Sequence, residues 1–419
     1  MDWMSRGFPC IVFLVFSISA CFAQDTLRVS LKVADSLLVV QNLRLLSAHY
    51  DVDRAVAERV QARLLNNPSI ATEWNLRNPA AGEWFDVGRR GQKIVAIEKV
   101  FQIAGKRGVQ IKLADEAIRM TELEYETLVR ALRLNLRVAF YRTYYLQRAV
   151  SGTAVQLSLL RDLIDVYDEQ YRKGNISLQE LARLNATYFA VNGRIRELRK
   201  ELAELQQTLQ VLLTDDRFIQ PVVDERFERR LSGIRPDDLV EQAISNRPEI
   251  RVANSARSQQ ELRYALARKQ AIPDLTAGVV YDQSGSYIDN YTGITVGMEI
   301  PIFNRNQGNI RAARIGIKQA EAQAASIAGE VRKEVWTAWR HAQLMEEQYF
   351  STSVHYEEEL HLLSERLVSH YSKSNISLLE FSDLFEAYSD YLIQLNELKA
   401  ELLNSYEELN YAVGDTIIR

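Results

Sequence analysis

The sequence predicts a mainly α-helical, elongated antiparallel bundle with a small β part of four strands. Three observations lead there. Only 8 prolines and 18 glycines occur in 419 residues, and no proline falls between 80 and 220 or between 302 and 419, so two long stretches lack the strongest helix breaker. Leucines and aromatics recur in steps of three and four over 181–212 and again over 378–413, the seven-residue period of supercoiled helices. The chain also repeats itself: Tyr171-Arg-Lys-Gly-Asn-Ile-Ser-Leu-Gln-Glu180 returns 200 positions later as Tyr371-Ser-Lys-Ser-Asn-Ile-Ser-Leu-Leu-Glu380.

Taken in order, residues 1–23 read as a secretory signal. Arg6 precedes an apolar run over 8–22 that is shorter than the roughly 20 residues a spanning helix needs, and Ala23 offers a small-residue cleavage site. Ile18-Ser19-Ala20-Cys21 also resembles a lipobox, which would make Cys21 an acylated first residue. Cleavage after Ala23 and lipidation at Cys21 both stand at this point.

Residues 24–213 form the first repeat and 237–413 the second, with 214–236 as a connecting, equatorial segment and 414–419 as a tail. Each repeat is expected to run helix (34–66; 237–270), strand, loop, strand, very long helix (106–172; 306–372), Asn-Ile-Ser turn and returning helix (175–213; 375–413). A helix over 106–172 spans roughly 100 Å, too long for a compact domain, and the two shorter helices of each repeat laid end to end match it. The stripe Leu181, Leu184, Tyr188, Val191, Ile195, Leu198, Leu202, Leu205, Leu209, Leu212 has its counterpart from Leu378 to Val413, where Lys399 is the one polar entry. Leu384, Tyr391 and Leu398 form a second stripe, so that helix is expected to have neighbours on both sides.

In the expected strands Ile294, Val296, Met298 and Ile300 alternate with Gly293, Thr295, Gly297 and Glu299. Leu275, Ala277, Val279 and Tyr281 oppose Thr276, Gly278 and Asp282; Ile70, Thr72, Trp74 and Leu76 oppose Ser69, Glu73, Asn75 and Arg77. The strand over 94–103 alternates less regularly. A half-buried soluble sheet has the same pattern, but the helices cannot cover four open-edged strands, and lipid forbids open edges. A membrane barrel would need several chains, because eight strands are about the minimum for closure. Loops 79–93 and 284–291 then face the cell exterior.

Composition excludes other classes. With 51 basic and 55 acidic side chains and no basic block, no nucleic-acid partner is expected. Both cysteines lie within the first 21 residues, and the 5 histidines lack metal-ligand spacing, so no cofactor or bound metal is expected. No phosphate loop, nucleophile elbow or pair of catalytic acids occurs, and no enzyme activity is expected.

The residues Val296-Gly-Met-Glu-Ile-Pro-Ile-Phe-Asn-Arg-Asn-Gln-Gly308, Ile103-Ala-Gly-Lys-Arg107, Asn246-Arg-Pro-Glu-Ile250 and Asn66-Asn-Pro-Ser-Ile70 resemble the TolC-type outer-membrane factors. They look most like the outer-membrane subunits of cobalt-zinc-cadmium or copper efflux systems. The resemblance implies a homotrimer whose chains complete a twelve-stranded β-barrel in outer-membrane lipid, above an α-barrel tunnel in the periplasm. It further implies a periplasmic adaptor and an inner-membrane transporter, commonly of the resistance-nodulation-division type. The implied function is the exit duct of a tripartite efflux pump, for heavy-metal cations; a multidrug or type I protein-secretion duct is the alternative, with a non-transporting envelope scaffold as a further reading.

The same resemblance assigns Glu380 and Asp383 to the constricted periplasmic tip, where three copies would bring six carboxylates together. The first repeat carries Glu180 but Arg183 at the matching positions, so a pair between Arg183 and Glu380 or Asp383 would lock the tip. The helix-initiating reading of acids in a first turn stands beside the pore reading. The tip turns, Gly174 with Asn175 and Ser374 with Asn375, would meet the adaptor; Ser374 replaces the usual glycine.

Overall fold

The computed structural model describes residues 25–79, 82–89, 91–224, 227–285, 287–352, 363–373 and 375–418. The segment expected to be a secretory signal, with Cys21, and Ser374 lie outside these residues.

The chain begins with β1 (Thr26–Ser30), α1 (Leu31–Gln41) and α2 (Leu43–Arg63), followed by β2 (Ser69–Trp74), the short β3 (Arg77–Asn78) and β4 (Glu83–Trp84), and β5 (Lys93–Phe101). The long α3 (Lys106–Arg172) and the returning α4 (Leu178–Leu213) complete the first repeat. After β6 (Phe218–Val222), the second runs α5 (Pro236–Asn246), α6 (Pro248–Gln270), β7 (Leu275–Ser284), β8 (Asp289–Met298), α7 (Gln307–Thr352), α8 (Leu363–Ser372) and α9 (Leu378–Val413). α3 has 67 residues over the expected span, roughly 100 Å of helix. Its counterpart is seen as α7 and α8, and 353–362 lie outside the described residues.

Two expected helices are broken, each at one residue. The helix expected over 34–66 stops at Asn42, whose side chain accepts from Arg44 N at 3.0 Å and Leu45 N at 3.2 Å and so starts α2 afresh. The same side chain donates to Leu212 O at 2.9 Å, tying the break to the end of α4. The helix expected over 237–270 breaks at Arg247, because Pro248 at the first helical position has no N–H to continue the ladder. Arg247 Nη1 donates to Ala412 O at 3.4 Å, so the second break meets the end of α9 as the first meets α4.

The joining segment is more ordered than a connector. β6 pairs in parallel with β1, from Thr26 opposite Phe218 to Ser30 opposite Val222, and Pro221 is accommodated in this two-stranded edge. β1 was not expected from the sequence. Around this equator Leu38, Leu136, Phe140 and Leu213 are buried in one core, while Leu239, Val335, Leu402 and Val413 are buried in the core of the second half.

The heptad stripe of α4 is buried or half-buried throughout. On α9 the polar entry Lys399 is also buried, with its ammonium 5.7 Å from the centre of the Phe227 ring. Where α6 and α7 run together, a side chain at Gly316 would meet Gln260 Oε1 at 2.9 Å, the close approach that the small-residue opening of α7 permits.

The four-stranded antiparallel sheet has the order β2-β5-β7-β8. Helices continue the strands in the same sequence, α2 against α3, α3 against α6 and α6 against α7. Sheet and helices are thus one wall, four elements wide, with β2 and α2 at one margin and β8 and α7 at the other.

Candidate functional site

At the tip, both turns use the same chemistry. Asn175 N donates to Gln170 O and Asn375 N to His370 O, each at 2.9 Å, closing the last turn of the incoming helix. Gly174 sits at φ +78, a conformation that disfavours any side chain. Ser177 and Ser377 then cap the returning helices: their hydroxyls accept from Glu180 N and Glu380 N at 3.2 and 3.3 Å. In return Ser177 N and Ser377 N donate to the Glu180 and Glu380 carboxylates at 3.0 and 2.8 Å. The backbone N–H of Ser377, helped by its hydroxyl, holds the Glu380 carboxyl below the usual range.

Three residues further on, the repeats meet. Arg183 Nη2 lies 3.3 Å from Asp383 Oδ1, and Arg194 Nη1 lies 2.6 Å from Asp390 Oδ1, forming two rungs between α4 and α9. Of the two partners considered for Arg183, the structure brings it to Asp383, while Glu380 is engaged in its own helix cap. Behind the rungs is an aromatic stack: Tyr167 on Tyr371 at 5.2 Å, Tyr371 on Phe381 at 4.7 Å, and Phe381 tilted on Phe385 at 5.4 Å. Burial, with Tyr167 beside it, pushes the Tyr371 hydroxyl well above its ordinary pKa.

An equatorial ion network escaped the sequence reading. Arg137 on α3 donates to Asp35 of α1 at 2.6 Å and to Glu407 of α9 at 2.7 Å, so one guanidinium ties three helices. Arg130, two turns earlier, pairs with Glu249 at 3.0 Å and donates to Tyr411 O at 2.5 Å. Arg247 bonds Glu249 and Glu334. Burial alone would raise the Glu249 carboxyl, but the Arg247 hydrogen bonds and the nearby Arg130 charge outweigh it and hold it low. The seven-residue spacing of Arg130 and Arg137 was the available signal.

Where helix becomes sheet, the halves are stitched together. The buried Lys106 reaches Asp274 at 2.7 Å, and Lys269 Nζ donates to Ala104 O at 2.6 Å. Asn306 Nδ2 donates to Ala267 O at 2.7 Å.

The sheet itself has two unlike faces. Ile70, Ile97, Val279 and Ile294 stand in one row across all four strands, and Leu275 with Phe101 and Met298 form another on the same side. Lys99 shares that face near its helix-side margin, its ammonium 5.6 Å from the Phe101 ring centre, where a long cationic chain can snorkel to an interface. The other face carries Ser69, Glu98, Gly278 and Thr295. Ile294 is 82% and Val296 69% exposed in the single chain. No helix among the described residues is long and apolar enough to cross a membrane. At the far end the first loop folds over the second hairpin: Gln283 Nε2 donates to Gly88 O at 2.5 Å, and Asp86 organises that loop by accepting from Asn78 Nδ2 at 2.9 Å.

Residues 239–353 match the family model described as outer membrane efflux protein. The chain is 23% identical over 299 residues to the cobalt-zinc-cadmium resistance protein CzcC of Cupriavidus metallidurans, covering 70% of this chain and 67% of that protein. It is 24% identical over 333 residues to the nickel-cobalt-cadmium resistance protein NccC of Alcaligenes xylosoxydans xylosoxydans, covering 76% and 71%. Among solved structures, the Campylobacter jejuni CmeC outer membrane channel superposes with a TM-score of 0.76 at 15% identity, covering 92% of this chain and 86% of that one. The CusC channel gives 0.73 at 18% identity, covering 92% of each chain.

Proposed function

We propose that this chain, a TolC-type efflux channel of the outer membrane and not an enzyme, is the exit duct of a tripartite pump that carries heavy-metal cations. The observation that carries the duct reading is the unfinished wall. β2 and β8 leave their outer edges unpaired, the exposed rows of Ile70, Ile97, Val279 and Ile294 suit lipid, and the opposite face is small and polar. Three copies, joined β8 to β2 and α7 to α2, give a twelve-stranded barrel continuous with a helical tunnel. The exposed Leu43, Tyr50 and Val60 of α2 and Ile315 and Trp336 of α7 supply apolar surface at that joint.

At the far end of the tunnel, Arg183–Asp383 and Arg194–Asp390 hold the tip closed, and the turns at Gly174, Asn175, Ser374 and Asn375 receive the periplasmic adaptor. The adaptor links the duct to an inner-membrane transporter of the resistance-nodulation-division type, which supplies the energy. Cations as cargo rest on the likeness to CzcC and NccC. Deleting the gene and growing the cells on zinc, cobalt and copper gradients tests this reading: tolerance to at least one metal should fall and return on complementation. Unchanged tolerance to all three, with lost tolerance to organic drugs, would reassign the cargo to drugs.

A further inference from the structure

At the end of the sheet far from the helices, a groove of about 550 Å³ lies between the first loop and the β7–β8 hairpin, a size within the roughly 300–1,000 Å³ of ligand pockets. Arg89 and Lys93 line it, with Asp289 as the one acid in its wall. Neither cation has an ion-pair partner among the described residues, Asp289 included. Two cations against one carboxylate leave the groove positive. The loop that carries Arg89 is also held in place. Gly88 N donates to Asp86 Oδ1 at 3.3 Å, while Gln283 Nε2 donates to Gly88 O at 2.5 Å and Ser284 Oγ to Gly91 O at 3.3 Å, tying the loop to the hairpin.

Below the groove the same face turns apolar. Lys93 stands opposite Trp74, and along β5 it shares a face with Val95 and Ile97, the last in the row of Ile70, Val279 and Ile294. On β7, Val279, Tyr281 and Gln283 follow one another on that face, and the Tyr281 hydroxyl donates to Asn290 Oδ1 at 2.8 Å. The groove therefore sits at the head of the apolar rows, beside Trp74 and Tyr281, aromatics of the kind that mark a membrane interface. Spacing agrees. Lys93 lies four residues from Ile97, about 13 Å along a strand, which is close to half of the roughly 25 Å apolar band of a barrel wall. Strand tilt shortens that height, and the long lysine side chain makes up the difference by snorkelling. With the Ile97 row at mid-membrane, both cations reach the headgroup level of the outer leaflet.

We propose that Arg89 and Lys93 form a site for a phosphorylated lipid of the outer leaflet, binding its headgroup phosphate while its acyl chains lie along Val95, Ile97 and Val279. The guanidinium can take two phosphate oxygens at once, and the ammonium adds a compact charge. A free anion would use the cations and leave the apolar rows bare. A neutral lipid would use the rows and leave the cations unanswered. Only a lipid with an anionic headgroup matches both, in the order in which the face presents them. The site rests on the lipid-facing reading of the sheet given above.

The test uses the full-length assembly, extracted in detergent and stripped of lipid, titrated with bis-phosphorylated lipid A and followed by native mass spectrometry. One lipid should bind per chain, and a dephosphorylated form of the same lipid should bind about tenfold more weakly, since the charge-assisted contacts are lost. Arg89→Gln with Lys93→Gln should weaken the phosphorylated lipid by a similar factor and leave the dephosphorylated one unchanged. Arg89→Lys with Lys93→Arg keeps both charges and should retain binding, as should Lys99→Gln at the opposite margin of the face. An unaltered melting curve shows that each variant is folded. Wild-type affinity of the folded Gln double variant for lipid A, or equal binding of the two lipids by the wild type, would overturn the proposal. Inorganic phosphate alone binding as tightly as lipid A would also overturn it and make the groove a free-anion site. If the assembly is not a trimer while the lipids respond as stated, the barrel reading fails and the site stands. A trimer whose lipid affinity ignores Arg89 and Lys93 removes the site and keeps the barrel.

Discussion

Arg183 and Asp383 are the residues where duplication and divergence meet. The sequence places them at matching positions of the two repeats, and the structure sets them 3.3 Å apart. Both are exposed, so the pair is worth at most about 1 kcal/mol to stability, and its value lies in the position it holds. Arg183→Ala combined with Arg194→Ala should therefore barely shift the melting temperature, yet raise single-channel conductance in a planar bilayer; unchanged conductance would remove the rungs from the gate. Glu249 titrates at the equator rather than the tip. Its carboxyl is held low in the folded chain by Arg247 and Arg130 against the effect of burial. A depressed folded pKa gives stability that is present above the unfolded value of about 4.3 and lost as pH falls through the lower folded value. Glu249→Gln should consequently flatten acid destabilisation below about pH 4 and leave the neutral-pH curve lower; a variant with wild-type acid sensitivity would show that the network is unimportant.

At the scale of elements, what the sequence made legible was whatever is periodic. α3 occupies the expected span, and the strand alternation around Ile294 and Val279 correctly sorts apolar from polar faces, because a two-residue period has only two phases. What it hid is held by single contacts between distant positions. Asn42 reads as an ordinary polar residue in a helical stripe until Leu212 O and two N–H groups converge on it. β1 is five residues long and gains meaning only beside β6, nearly two hundred positions away. Asn42→Ala should cost about 1–2 kcal/mol in chemical unfolding; a cost below 0.5 would mean that α1 and α2 break for another reason. The face assignment has its own test. Ile294→Arg, on the face proposed to meet lipid, should lower outer-membrane assembly, by about 2–4 kcal/mol if near mid-membrane, whereas Thr295→Arg, one residue on and on the opposite face, should assemble. Equal assembly of the two would reverse or abolish the faces.

The whole molecule is a strip of wall. Its sheet order and helix order coincide, β2-β5-β7-β8 above α2-α3-α6-α7, so whatever closes the sheet also closes the helices. One chain cannot close either layer: four strands fall short of the roughly eight a barrel needs, and its apolar rows remain uncovered. This explains the distribution of prolines, which apart from Pro9 sit at strand ends and around the equator and are absent from the tip, where Gly174 and the Ser177 and Ser377 caps reverse the chain. The claim that the protein is a duct made of several identical strips is tested most directly by native mass spectrometry of the assembly extracted in detergent from the outer-membrane fraction. The account predicts a mass of three mature chains, each somewhat below the 48.0 kDa of the full sequence. A single chain, or a pair of chains, in that fraction would contradict it.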